Sequence, residues 1–108
     1  MTLNEYQNKA LVTAKYPTSM RVLYPVLGLC GEAGEVAEKV KKIHRDKGGV
    51  IDDNSKIEIA KELGDVLWYI STCAEDLGFT LQEIADFNIE KLTSRRERGV
   101  IHGSGDNR

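Results

Sequence analysis

The chain has little of what would point away from a plain helical domain. Its 108 residues include two cysteines and one tryptophan, and aromatic residues make up only 6%. Cys30 and Cys73 lie far apart inside apolar-periodic segments, which predicts buried free thiols rather than a disulfide. No Cys/His cluster has the spacing of a zinc site. The net charge is −2, without the basic excess that a nucleic-acid surface needs. No apolar run approaches the ~20 residues of a membrane span, and no signal-peptide pattern opens the chain, so a cytoplasmic location is expected. Internal repeats and low-complexity blocks are absent too. What is present, 41% hydrophobic and 30% charged residues, fits a single soluble domain. A chain this short buries a limited core alone, which favours self-association.

Helical signals fill the sequence. Thr2 and Glu5 have the spacing of a capping box, and Leu3, Tyr6, Ala10, Leu11 and Ala14 recur at helical intervals up to Pro17. Pro25 suits the first turn of a second helix, whose apolar face is Leu23, Leu27, Cys30, Ala37, Val40 and Ile43. Residues 18–24 allow an earlier turn. "DKGGVIDDNS", residues 46–55, reads as a loop broken by Gly48 and Gly49. A third helix runs to about Leu77, with Ile59, Leu63, Val66, Leu67, Ile70, Ala74 and Leu77 on one face and Gly78 as its stop. Thr80 and Glu83 repeat the capping-box spacing, with Phe79 and Ile84 placed for a hydrophobic staple, and a fourth helix ends near Arg98 and Gly99. No strand is evident. The expected fold is all-α, four main helices in a bundle completed by homo-oligomerisation, with a domain over 1–99 and a fraying tail over 100–108.

The chemistry-bearing feature is a column of carboxylates. "GLCGEAGEVAEKVKK" stacks Glu32, Glu35 and Glu38 three residues apart on one helix, and "KELGDVLWY" does the same with Glu62 and Asp65 on the next. Like charges so placed repel by roughly 0.2–0.5 kcal/mol per pair. Consecutive helices joined by a short loop are antiparallel neighbours. With the loop over 45–53, Glu35 and Glu62 each stand roughly 14 Å from the turn, so the two pairs are level. Four carboxylates on facing helices suit a hard divalent cation. Gly28, Gly31, Gly34 and Gly64 lie among them, and glycine inside a helix costs about 1 kcal/mol relative to alanine, which suggests close packing by a backbone or a ligand. Without a cation, the same pattern reads as a solvated acidic face paired with Lys39 and Lys61. Ferritin-like di-iron chemistry is disfavoured, because neither His44 nor His102 stands three residues after a glutamate.

"GLCGEAGEVAEKVKK", "KELGDVLWYIS" and "NIEKLTSRRERG" together resemble the successive signature segments of MazG-like nucleotide pyrophosphohydrolases, short single-domain type, within the all-α NTP pyrophosphatase superfamily. The resemblance covers roughly residues 24–99. It implies hydrolysis of a nucleoside or deoxynucleoside triphosphate to the monophosphate and pyrophosphate, with Mg²⁺ as cofactor and Mn²⁺ able to substitute. It implies Glu32, Glu35, Glu62 and Asp65 as metal ligands, and a homodimer or homotetramer sharing its active sites. It also implies substrate contact by the "N-x-x-K-L-x-x-R" stripe Asn88, Lys91 and Arg95.

The residues suggest further roles. Glu38 or Glu35 is a candidate base for the attacking water. Asn88 stands where the apolar period calls for a core residue, so a polar pocket around it is expected. Trp68, one turn past Asp65, is placed to stack on a nucleobase or to pack in the core. Tyr6, Gln7 and His44 are weaker candidates, and Lys39, Lys42 and Arg45 are additional cations. Two other readings stay open: a phosphoribosyl-ATP pyrophosphohydrolase-like enzyme, and a non-catalytic helical module that binds nucleotide or metal.

Overall fold

A computed structural model describes residues 1–108. It contains four α-helices and no strand: α1 (Leu3–Leu11), α2 (Leu23–Lys47), α3 (Asp53–Asp76) and α4 (Leu81–Arg98), with a short 3-10 turn at Thr18–Met20. Local chemistry sets most of these limits. The Thr2 hydroxyl accepts from the Glu5 N–H at 3.1 Å, and the Asp52 carboxylate accepts from the Ser55 N–H at 2.8 Å. At α4 the capping box is complete in both directions: Thr80 Oγ1 accepts from the Glu83 N–H, and Glu83 Oε1 accepts from the Thr80 N–H. Gly48 ends α2 with φ +60°, a left-handed conformation that costs a side-chain-bearing residue energy. The predicted loop 46–55 therefore shrinks to residues 48–52, because the glycine pair and the Asp52 cap act right at its two ends.

α2 and α3 form a long antiparallel hairpin, the main packing contact of the chain. Its register follows from side chains. Gly28 meets Tyr69, Glu32 meets Asp65 and Lys39 meets Glu58. Steps of four and seven residues up one helix match steps of four and seven down the other, which keeps one stripe of each helix at the seam. Gly28 is required there: a Cβ at that position lies 2.1 Å from the Tyr69 ring. At Gly31, Gly34 and Gly64 an added Cβ meets nothing within 4 Å, so the close packing expected around all four glycines holds within the chain only at Gly28.

α1 lies across α3 and α4, and one side chain fastens all three. Gln7, 3% exposed, donates from Nε2 to the Ser71 and Phe79 carbonyls at 3.3 and 3.1 Å. Its Oε1 accepts from the Leu81 N–H at 2.8 Å. The Leu81 N–H is one of the donors that the start of α4 leaves without an intrahelical partner, and Gln7 satisfies it. A second bracket is Asp76, which accepts from the Tyr16 hydroxyl at 2.7 Å and from the Val22 N–H at 2.9 Å, with Arg21 Nε 3.6 Å away. Burial, then Asp76, pushes the Tyr16 phenol up to about 12. Val22 sits at φ +65°, strained for a β-branched residue, and the Asp76 hydrogen bond holds it there.

The core is thin. Ala10, Ile43, Ala74 and Leu81 are its buried apolar residues, while Leu23, Leu27, Leu63, Leu77 and Leu92, all placed on apolar faces by periodicity, are exposed on the single chain. The radius of gyration is 16.7 Å, against about 13 Å for a compact domain of this length. Cys30 is exposed rather than buried; Cys73 is half-buried, and both are free thiols. Residues 100–108 form no helix or strand, and hydrogen bonds of Arg95, Arg98 and Arg108 lay them against α4.

Removing the Gln7 bracket tests this account. Gln7→Ala leaves the buried Leu81 N–H and the Phe79 carbonyl short of partners, at roughly 1–3 kcal/mol for each group left unsatisfied. We expect a loss of about 2–4 kcal/mol in urea unfolding. An unchanged midpoint removes Gln7 from this role.

Candidate metal and nucleotide site

The α2–α3 register turns three carboxylates into one cluster. Glu32 from α2 and Glu62 and Asp65 from α3 each place a carboxylate oxygen within 4.8 Å of the others. Glu32 and Glu62 are half-buried and Asp65 is exposed, so the group sits at the surface of the hairpin. The electrostatic consequence shows at Glu32. Its carboxyl is pushed above the usual range, first by burial, then by the charges of Asp65 and Glu62, a hydrogen bond with Glu62, and Glu35. The nearest countercharge is Lys39, whose Nζ lies 3.6 Å from Glu62 and 3.8 Å from Glu58. One ammonium shared between two carboxylates leaves the cluster short of positive charge. An all-oxygen set with that deficit fits a hard divalent cation and lacks the sulfur or imidazole ligands of softer metals.

The other predicted residues divide. Glu35 is one turn from Glu32 and exposed, and its charge reaches Glu32, yet it stays outside the close set. Glu38 belongs elsewhere: Lys41 at 2.9 Å and Lys42 at 3.8 Å pair with it, and the Lys41 hydrogen bond holds its carboxyl below the usual range. Lys39 and Lys42 are committed to carboxylates, and Arg45 pairs with Asp46 at 2.7 Å. His44 lies against Gly49 at the α2–α3 turn.

Beside the cluster is an open cavity of about 360 Å³ lined by Thr13, Glu32, Asp65, Trp68 and Tyr69. A neighbouring one of about 310 Å³ shares Thr13 and Trp68 and adds Lys15, Tyr16, Pro17 and Tyr24. The Trp68 indole N–H is already used, donating to Thr13 Oγ1 at 2.8 Å and to the Ala10 carbonyl at 3.2 Å. Trp68 therefore offers only its ring surface. Tyr69 stands edge-on to Trp68 at 4.9 Å. Sequence reasoning missed Tyr69; the signal was Gly28, a helical glycine that makes room for a large partner. Nothing in the sequence marked Thr13. Tyr6 is close enough that burial and then the Asp65 charge raise its phenol, whereas Gln7 is wholly structural.

α4 does not complete this site within one chain. Asn88 is exposed, not buried as its place in the apolar period predicted, because nothing in the chain covers that face of α4. Lys91 and Arg95 make their ion pairs with Asp106, and neither is among the charges that perturb Glu32. Arg95 is 5% exposed, and its Nε has no partner.

With this geometry in view, comparison with known proteins decides the family. The MazG nucleotide pyrophosphohydrolase domain matches residues 23–100, from the start of α2 to just past α4. The chain belongs to the MazG family. The match supports a nucleotide pyrophosphohydrolase-type function and a nucleotide substrate. A relative, "Gene 37 protein" of Mycobacterium phage L5, is 48% identical over 114 aligned residues that cover all of both chains. No solved structure matches. The carboxylate cluster lies inside the matched MazG segment, as do Lys91 and Arg95, and no helix is long and apolar enough to cross a membrane.

The strain at Glu32 has a measurable sign. The folded state holds the Glu32 proton above its ordinary pKa of 4.5. That contribution to stability is complete below the ordinary value and is lost as pH climbs through the raised one. In EDTA, Glu32→Gln is therefore expected to melt about 2–5 °C higher than the parent at neutral pH, with the gap closing toward pH 4. Adding Mg²⁺ or Mn²⁺ should raise the melting temperature of the parent but not of the variant. If the parent melts higher than Glu32→Gln without metal at pH 7, the carboxylates do not repel as described.

Proposed function

We propose that this chain is a Mg²⁺-dependent nucleoside triphosphate pyrophosphohydrolase, converting an NTP or dNTP and water to the monophosphate and pyrophosphate. The observation that carries the reading is the convergence of Glu32, Glu62 and Asp65 inside the matched MazG segment. These three carboxylates would hold the ion, with Glu35 exposed one turn from Glu32. When bound, Mg²⁺ (or Mn²⁺ in its place) supplies positive charge against the phosphates and lowers the pKa of water in its shell.

The chain's own groups do the rest. Glu35 takes the proton of the water that attacks the α-phosphorus, being exposed beside the cluster and free of the lysines that hold Glu38. Glu38 is thereby set aside as the base. Lys91 and Arg95 meet the charge that grows on the departing pyrophosphate, with Asn88 a turn before them as a neutral hydrogen-bonding group. The unpaired, buried Arg95 Nε is a donor ready for a phosphate oxygen. The Trp68 and Tyr69 rings, next to Glu32 and Asp65, provide an apolar surface for the nucleoside.

The working unit in this reading is a homodimer or homotetramer. The chain exposes 7494 Å², against about 6,000 Å² for a compact 12.0 kDa protein. The excess of about 1,500 Å² is ample for a subunit's share of a stable interface. It includes Leu23, Val26 and Leu27 on α2, Leu63 on α3, and Phe87, Ile89 and Leu92 on α4. Association also brings α4 of one subunit toward the carboxylates of another, supplying the cations that a single chain keeps apart from them.

The test is product analysis with each NTP and dNTP. We expect pyrophosphate, not orthophosphate, and no turnover in EDTA. Asp65→Ala or Glu35→Ala should lower kcat/KM by at least about 100-fold, since even groups one layer behind a metal ligand cost 10–100-fold. Folded variants that turn over at the parent rate rule this mechanism out. Sedimentation velocity of the same preparations should show a species at least twice the chain mass.

A further inference from the structure

The cations assigned to pyrophosphate are not free in this structure. Lys91 Nζ lies 3.2 Å from Asp106 Oδ1, and Arg95 Nη2 lies 3.6 Å from the same oxygen. Arg95 Nη2 also donates to the Gly105 carbonyl at 3.1 Å. The partners differ in how they are held. The Arg95 side chain is 6% exposed and built into α4, whereas Asp106 is 85% exposed and laid over it from outside. One carboxylate oxygen serves two cations, and the buried Arg95 Nε has no partner. Asp106 thus fills an anion position incompletely, where a phosphate has more acceptor oxygens to offer.

The segment that delivers Asp106 is organised around its own last residue. The Arg108 guanidinium donates to the carbonyls of Val100, Ile101 and Gly105 at 3.1, 2.7 and 2.7 Å, and Arg98 donates to the Arg108 carbonyl. Gly103 and Gly105, with φ of +140° and +84°, allow the reversals that this clasp needs. No residue of 100–108 is fully buried. The clasp is therefore a preformed unit tied to α4 largely through polar contacts at the surface, each of modest strength.

We propose that residues 100–108 are a strap that competes with substrate: Asp106 occupies Lys91 and Arg95 in place of the terminal phosphates, and the strap must lift before a triphosphate seats. This rests on Lys91 and Arg95 being the phosphate contacts named above. The Lys91 hydrogen bond, foremost, holds the Asp106 carboxyl below its usual range, so the competitor stays charged wherever the substrate does.

The experiment uses the full chain, Asp106→Asn and a variant lacking residues 103–108, each with and without Lys91→Ala. Inorganic pyrophosphate binding is measured by calorimetry, and KM and kcat are measured with a hydrolysed triphosphate. Both strap variants should bind pyrophosphate about 3- to 10-fold more tightly than the parent and lower KM by a similar factor with kcat unchanged, as expected when a modest closed-state preference is removed. In the parent, pyrophosphate should move the Gly103 and Gly105 amide resonances to random-coil positions. If both variants match the parent or bind more weakly while Lys91→Ala still weakens binding, the strap is overturned and the phosphate contacts stand. If Lys91→Ala changes nothing in any background, the phosphate contacts fall and the strap falls with them.

Discussion

Mutual repulsion among carboxylates is the constraint around which this molecule is arranged. Glu32, Glu62 and Asp65 are brought together where burial first, and then the neighbouring charges, raise the Glu32 carboxyl, and Lys39 stands by as countercharge. Such a cluster does not form of its own accord. It is held by the α2–α3 hairpin, whose seam is fixed by Gly28 against Tyr69 above the cluster and by Lys39 with Glu58 below it. The apolar seam provides the stabilisation that the acidic cluster consumes.

The remaining elements are positioned by buried polar brackets more than by a core. Gln7 joins α1 to the α3–α4 junction, and Asp76 gathers Tyr16, Arg21 and Val22 where the chain enters α2. These contacts are specific and replace apolar bulk that a chain this small does not have. They also leave long apolar stretches of α2 and α4 uncovered. The thin core has one visible cause: the chain carries more apolar surface on α2, α3 and α4 than it buries.

That cause also explains what was legible in the sequence. Most helix limits were, because Thr2, Asp52, Thr80, Gly48 and Gly99 act on their own neighbours, whereas the end of α1 at Leu11, short of Ala14 and Pro17, was not. The convergence of Glu32 with Glu62 and Asp65 was, because the loop length and the helical rise fix the level of two antiparallel helices. Asn88 was misplaced in a core and Leu63 is exposed, because periodicity reports which face is apolar and not whether the same chain covers it. Pairing of Glu38 with Lys41 and Lys42 was readable as i, i+3 and i, i+4 contacts, while the carboxylate spacing alone kept it beside Glu35 as a candidate base. Asp106 was invisible, because nothing in a glycine-rich end announces that its final arginine will close on three carbonyls.

The reach of Gln7 has a consequence for the order in which the molecule assembles. The caps are encoded within a few residues of each helix end, and α2 and α3 are joined by a five-residue connection, so the hairpin forms from local encounters and forms early. The partners of Gln7 lie 64 to 74 residues downstream. Closing that loop carries a large entropic cost and brings no reward until the end of α3 and the start of α4 are already in place. α1 is therefore the last helix to dock.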